Sequence, residues 1–198
     1  MHSVYIHIPF CKTICTYCDF CKVFYNEKFA TKYLQNLEKE ILSQYNNEIL
    51  DTIYIGGGTP SSLNPAELKK LFSITNIFQK SRKCEFTFEC NIEDITLELL
   101  ETLKTNGVNR LSIGIESFNK KILKTMNRHA DFKDCQKKMA LMRSVGFDNI
   151  NLDLIYAMPK ETMFTLSRDI HKLLKLNPEH ISTYSLILEK NTILYNQG

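Results

Sequence analysis

A chain of 198 residues that is 43% hydrophobic, 24% charged and 11% aromatic has the profile of one globular domain with an ample core, which excludes disorder as a description of the whole. Its 25 basic and 22 acidic residues leave a formal net charge of +3, so no electrostatic footprint argues for nucleic acid or an anionic membrane as the main partner. No apolar run approaches the roughly 18 to 20 residues of a membrane span, and the start Met1-His2-Ser3-Val4-Tyr5 lacks the pattern of a secretory signal, so the expected compartment is the cytoplasm.

Along the chain, short β-branched or aromatic runs alternate with longer amphipathic ones, the pattern of parallel strands with helices packed outside them. Strands are expected at 3–8, 51–55, 85–89, 110–115, 149–155 and 180–186. Between the first two, Leu34, Leu37, Ile41, Leu42 and Tyr45 recur at helical spacing while Gln35, Lys39, Glu40 and Gln44 face water. Further helices are expected over 65–79, 96–105, 132–145 and 162–175. Pro65 suits a first turn, and Gly107 and Gly146 fall just past helix ends. The basic residues of 120–138 read as a solvated helical face. No linker or repeat divides the chain, and the ten residues from Glu189 to Gly198 are too few for a full covering helix. Such an array curls into part of a barrel or opens into a doubly wound sheet, and periodicity alone does not choose.

Seven cysteines, at 11, 15, 18, 21, 84, 90 and 135, are an odd set crowded towards one end, which suits metal binding better than a disulfide framework. Cys11-Lys12-Thr13-Ile14-Cys15-Thr16-Tyr17-Cys18 places three thiols in eight residues, a spacing that wraps one small cluster or metal. Soft thiolates favour iron-sulfur or zinc. Cys21 could complete a local set of four, which keeps a closed zinc or ferredoxin-like site open; a three-thiolate cluster instead leaves one iron for a ligand that is not protein. Cys84, Cys90 and Cys135 read as small core hydrophobes and His7 as a satisfied histidine. After the second expected strand, Gly56-Gly57-Gly58-Thr59 lets the backbone approach a ligand closely, and no Gly-Lys-Ser/Thr follows to make it a phosphate loop. Glu89, Glu116 and Asp153 put three carboxylates near the C-terminal ends of strands, the face on which β/α barrels assemble their sites.

The spacing C-x3-C-x2-C, with an aromatic residue before the last Cys, resembles the radical S-adenosylmethionine superfamily. Tyr5-Ile-His-Ile-Pro-Phe-Cys11, Cys18-Asp19-Phe20, Gly56-Gly-Gly-Thr-Pro-Ser61, Arg110-Leu-Ser-Ile-Gly-Ile115, Asn151-Leu-Asp-Leu-Ile-Tyr156 and Ile181-Ser-Thr-Tyr-Ser-Leu186 together resemble the oxygen-independent coproporphyrinogen III oxidase family, including its heme-chaperone branch. The resemblance implies an α/β fold, a partial (β/α)6 TIM-like barrel, with residues 1–198 as the radical core domain and the family's C-terminal domain absent. It implies that Cys11, Cys15 and Cys18 hold a [4Fe-4S] cluster whose open iron binds S-adenosyl-L-methionine, and that reductive cleavage of this cofactor yields a 5′-deoxyadenosyl radical. By the same resemblance Gly57, Gly58 and Thr59 meet the methionyl ammonium, Glu89 and Asp153 take the ammonium or ribose hydroxyls, and Arg128 pairs with the carboxylate. Tyr5 and Tyr17 are expected beside the cluster. Glu116 stands on the cofactor rim where the family usually has Gln, and Ile92 and Ala157-Met158 are smaller loop departures. Phe20 stands where the oxidases carry a fourth Cys, which favours the chaperone branch, with heme as cargo, over porphyrinogen decarboxylation. An electron donor such as flavodoxin or ferredoxin is the implied partner.

Overall fold

The computed structural model describes residues 1–197. Its strands are β1 (Ser3–Ile8), β2 (Phe10–Cys11), β3 (Val23–Phe24), β4 (Leu50–Gly57), β5 (Lys80–Asn91), β6 (Arg110–Glu116), β7 (Ile150–Tyr156) and β8 (His180–Ser185). Its helices are α1 (Glu27–Gln44), α2 (Pro65–Thr75), α3 (Leu97–Thr105), α4 (Lys120–Met126), α5 (Phe132–Ser144), α6 (Met163–Lys175) and α7 (Ile193–Asn196). No helix among the described residues is long and apolar enough to cross a membrane.

Strand pleating explains the architecture. Ile6 and Ile8, Ile53 and Ile55, Phe86 and Phe88, Leu111, Ile113 and Ile115, and Leu152 and Leu154 are all buried, and alternate residues on a strand share one face. That face packs on the helices. The opposite face carries polar groups in register: Glu89, Ser112, Asn151 and His180 are successive partners across β5 to β8, and one step on stand Asn91, Gly114, Asp153 and Ser182. The sheet order is β1-β4-β5-β6-β7-β8, with every pair parallel. No strand is passed over, so there is no switch point, and right-handed crossovers put the helices on one side while the polar side curls into a lumen. The result is a six-stranded partial barrel, which resolves the choice that periodicity leaves open.

Local signals place most elements as expected. Asn64 and Glu67 form a reciprocal capping box ahead of Pro65, and Gly107 and Gly146 have φ of 86° and 92°, values that favour glycine after a helix. Other details differ. Leu42 is exposed rather than part of the buried stripe of α1, which consists of Ala30, Leu34, Leu37 and Ile41. The third long strand begins at Lys80, five residues early, because Leu50 pairs with Lys80 before the register shifts. The stretch 120–138 is not one solvated face: α4 buries Ile122, Leu123 and Met126, ends on Asn127 in the left-handed conformation, and leads into the buried Arg128 before α5 starts. Apolar residues three and four positions before Met126 make α4 a packed helix despite its lysines.

The turn after β6 is clamped from α6. Asp169, 2% exposed, accepts from the Ser117 hydroxyl and from the Phe118 amide at 3.0 Å. The clamp holds the residue beside it: Glu116 has φ of 70°, a conformation that L side chains tolerate only when the surroundings impose it. Replacing Asp169 by Ala strands two buried donors, so urea unfolding should show a loss of about 1.5–3 kcal/mol, whereas Asp169→Asn should recover part of it. A loss below about 0.5 kcal/mol would put the clamp on the same footing as an ordinary surface group.

Candidate functional site

The loop between β2 and β3 carries the cysteines, and its two ends are tied before it can stray. Phe10–Cys11 pairs with Val23–Phe24, Val23 N donates to Pro9 O at 2.8 Å and Tyr25 N to Cys11 O at 2.9 Å. The middle of the loop is pinned to α4 and α7: Thr16 donates its amide to Met126 O at 3.1 Å and its hydroxyl to Thr125 O at 2.6 Å, Asn127 Nδ2 donates to Ile14 O at 3.0 Å, and Leu194 N donates to Thr16 O at 2.8 Å. Cys11, Cys15 and Cys18 consequently all line one cavity of about 530 Å³. Cys21 is exposed and lies off that wall, with its carbonyl bonded to His7 Nε2 at 2.8 Å.

The glycine turn closes the next side of the cavity. A Cβ on Gly58 would lie 2.8 Å from the Pro9 backbone and 2.9 Å from Cys11 Sγ, and one on Gly56 would lie 2.7 Å from the Glu89 carboxylate. The backbone is thus pressed against both a thiol and a carboxylate. Glu89 accepts from Tyr54 Oη at 2.6 Å and Gly57 N at 3.1 Å. Burial raises its pKa, partly offset by these two bonds; Asp153, also on the wall, is likewise raised by burial, with Asn151 and Ser182 pulling the other way. Burial also pushes the Cys11 and Cys15 thiols up, so thiolate at these positions calls for a cation to stabilise it.

Arg128 supplies the positive charge. Its surface is 6% exposed; Nη1 donates to Asn91 Oδ1, Nη2 donates to Gly114 O at 2.8 Å, and Glu93 lies 3.7 Å away. Burial works against the cation, but Glu116 and Glu93 outweigh it and hold its pKa above the ordinary arginine value. Its Nε is buried without a partner. Burial pushes the Glu116 carboxyl up to about 7, against the pull of Arg128 and with repulsion from Asp153. Tyr17 lies beside Cys15 and Glu116, and burial raises its pKa well above the usual phenol value.

All but one of the residues singled out from sequence therefore meet on this wall: Cys11, Cys15, Cys18, Tyr17, Gly57, Gly58, Thr59, Glu89, Glu116, Arg128 and Asp153. Tyr5 does not. It is 57% exposed, packs on Tyr54 and bonds His7 Nδ1 at 3.1 Å, reaching the cysteine loop only through that histidine. Tyr54, Asn91, Ser112 and Asn151 were missed; the period-two polar positions of the strands were the signal available for them. Among the described residues no three His, Cys, Asp or Glu side chains are grouped as a single-ion site requires. A cubane gives each of three irons its own thiolate, so its ligands stand further apart than those of one ion. The unpartnered Nε of Arg128, the close-pressed glycine turn and the soft donors on one wall fit a cluster with a small zwitterionic cofactor.

The chain belongs to the radical SAM superfamily, whose family description matches residues 5–173. That membership implies a [4Fe-4S] cluster and S-adenosylmethionine. Within the superfamily the chain is 43% identical over 99% of its length to heme chaperone HemW of Bacillus subtilis, of which it covers 53%. It is 32% identical over 92% of its length to oxygen-independent coproporphyrinogen III oxidase of Escherichia coli, of which it covers 41%. It superposes on the solved structure of the Escherichia coli coproporphyrinogen III oxidase, a radical SAM enzyme, with a TM-score of 0.90, 32% identity and coverage of 98% of this chain and 46% of that one. The chain spans about half the length of the curated relatives it matches.

One pH-linked consequence follows from Glu116. Its folded-state pKa of about 7 exceeds the unfolded value near 4.3, so its contribution is fully present below the unfolded pKa and is lost as pH rises to about 7 and beyond. Glu116→Gln should therefore match the wild type at about pH 4 and below and exceed it in urea unfolding at pH 8 by roughly 3–4 kcal/mol. Parallel pH curves for the two proteins would show that Glu116 is ionised without penalty.

Proposed function

We propose that Cys11, Cys15 and Cys18 hold the [4Fe-4S] cluster and that the cavity wall beside them holds S-adenosylmethionine. The observation that carries this reading is that these three cysteines, and not Cys21, share one wall with Arg128 and with Glu89 and Asp153. When bound, the cluster supplies the electron that cleaves the cofactor's sulfonium. The chain's residues do the holding: Arg128 meets the cofactor's carboxylate with N–H groups not committed to Asn91 and Gly114, and the Gly57-Gly58-Thr59 backbone, with Glu89, takes the ammonium. Asp153, across the lumen on β7, accepts from a ribose hydroxyl. Tyr17 shields the thiols from water.

We further propose that the chain is the core of a protein that handles heme or a porphyrin in the cytoplasm. Heme chaperones HemW are 43% and 40% identical in two relatives but 32% in Escherichia coli, level with the oxidase of that organism, so the feature that supports heme as cargo is Phe20 in place of a fourth cysteine. Exposed Phe20, Val23 and Phe24 flank basic Lys22 beside the cysteines, a surface suited to a small electron carrier such as flavodoxin or ferredoxin.

Anaerobic reconstitution with iron and sulfide should give about four of each per chain, as one cubane requires. Ala at Cys11, Cys15 or Cys18 should abolish the cluster, and Cys21→Ala should leave it intact. Loss of the cluster in Cys21→Ala, or one tightly bound zinc that excess iron does not displace, would overturn the three-cysteine assignment. Arg128→Ala should weaken S-adenosylmethionine binding by roughly 1.5–3 kcal/mol in calorimetric titration, measured per assembled cluster. Heme titration against coproporphyrinogen III turnover separates the two branches: heme binding without turnover supports the chaperone reading, and turnover replaces it with the oxidase.

A further inference from the structure

The polar lumen contains a group with no role in the contacts assigned so far, the Asn151 amide. Asn151 is 2% exposed and stands two residues before Asp153 on β7, so the pleat sends both side chains to the lumen face. Its Nδ2 donates to Asp153 Oδ1 at 2.7 Å and to Ser112 Oγ at 2.9 Å. Its Oδ1 accepts from Ser182 Oγ at 3.0 Å and from His180 Nδ1. Two donors and two lone pairs are the whole inventory of a side-chain amide, and all are committed. The amide cannot turn over, since its oxygen would then face the Asp153 carboxylate. Because Oδ1 only accepts, His180 carries its proton on Nδ1, which fixes the tautomer.

We propose that Asn151 is a positioning residue for cofactor recognition: locked by His180 and Ser182 of β8, it holds one carboxylate oxygen of Asp153 and so presents the other to a ribose hydroxyl of S-adenosylmethionine. The proposal rests on the reading of Asp153 as a cofactor contact. An aspartate carboxylate rotates easily about its terminal torsion, and a short bond to one oxygen fixes its plane before the ligand arrives, removing an ordering cost from binding. The register makes this possible. Ser112, Asn151 and His180 are direct neighbours across three strands, and Ser182 is the partner of Asp153. The edge strand β8 thereby contributes to the site through two side chains that need not touch the cofactor.

The test measures binding to the reconstituted protein by anaerobic calorimetry, with S-adenosylmethionine and its 2′-deoxy and 3′-deoxy analogues as probes. In the wild type, removing the contacted hydroxyl should weaken binding by roughly tenfold or more. In Asn151→Ala the natural cofactor should bind more weakly while the matching deoxy analogue changes little, so that the ratio falls to about threefold or less; His180→Ala should lower it part of the way. General damage would weaken both ligands alike and leave the ratio unchanged, and that result in both variants overturns the proposal. Asp153→Ala separates the two levels. A ratio lost in Asp153→Ala but kept in Asn151→Ala and His180→Ala rejects the positioning role alone, whereas a ratio kept in Asp153→Ala rejects the cofactor contact on which it rests. Should Asn151→Ala fail to fold, His180→Ala carries the same decision.

Discussion

A guanidinium buried to the depth of Arg128 survives only where its charge is answered, and the ends of β5 and β6 are shaped to answer it. Asn91 and Gly114 accept from its terminal nitrogens, Glu93 stands 3.7 Å away, and Glu116 adds a second carboxyl. Gly114 is glycine for the same reason: a Cβ there would lie 2.9 Å from the Glu116 carboxyl and 3.3 Å from Arg128. Unpairing a buried charge costs about 3–5 kcal/mol, so this arrangement fixes the loop that follows α4. Because α4 also holds Thr16, the same constraint sets where the cysteine loop sits relative to the lumen.

The lumen itself follows from pleating. Parallel strands covered on both faces usually read as unbroken apolar runs, yet here Ser112, Gly114 and Glu116 interleave with Leu111, Ile113 and Ile115, and Asn151 and Asp153 with Leu152 and Leu154. One face is core and the other is a polar wall around a cavity of about 530 Å³. Binding and enclosure are thus two uses of one strand pattern, with the helices keeping the apolar side dry.

Much of this was legible in the residues. The strands announce themselves by β-branched runs, and the cysteine triplet, the glycine turn and the carboxylates at strand ends mark the site because such residues have few structural uses in that pattern. What stayed hidden depends on contacts between segments far apart in sequence. The seven residues of α4 are too few to establish a period and three of them are lysines; the β2–β3 clasp is two residues a side. Asn91, Tyr54 and Asn151 look like ordinary strand polars until the register sets them against Arg128, Glu89 and Asp153. Tyr5 stands at the expected place in the chain, but its ring turns to Tyr54 and His7 rather than to the cavity.

The claim on which the rest turns is that three cysteines leave one iron free for the cofactor. Electron-nuclear double resonance on the reduced, reconstituted protein, with S-adenosylmethionine labelled with nitrogen-15 at its amino group and oxygen-17 at its carboxylate, observes that iron directly. Hyperfine coupling from both labels to the cluster is the predicted result, present in the wild type and in Cys21→Ala. A cluster that forms normally but shows no coupling to either label would contradict it.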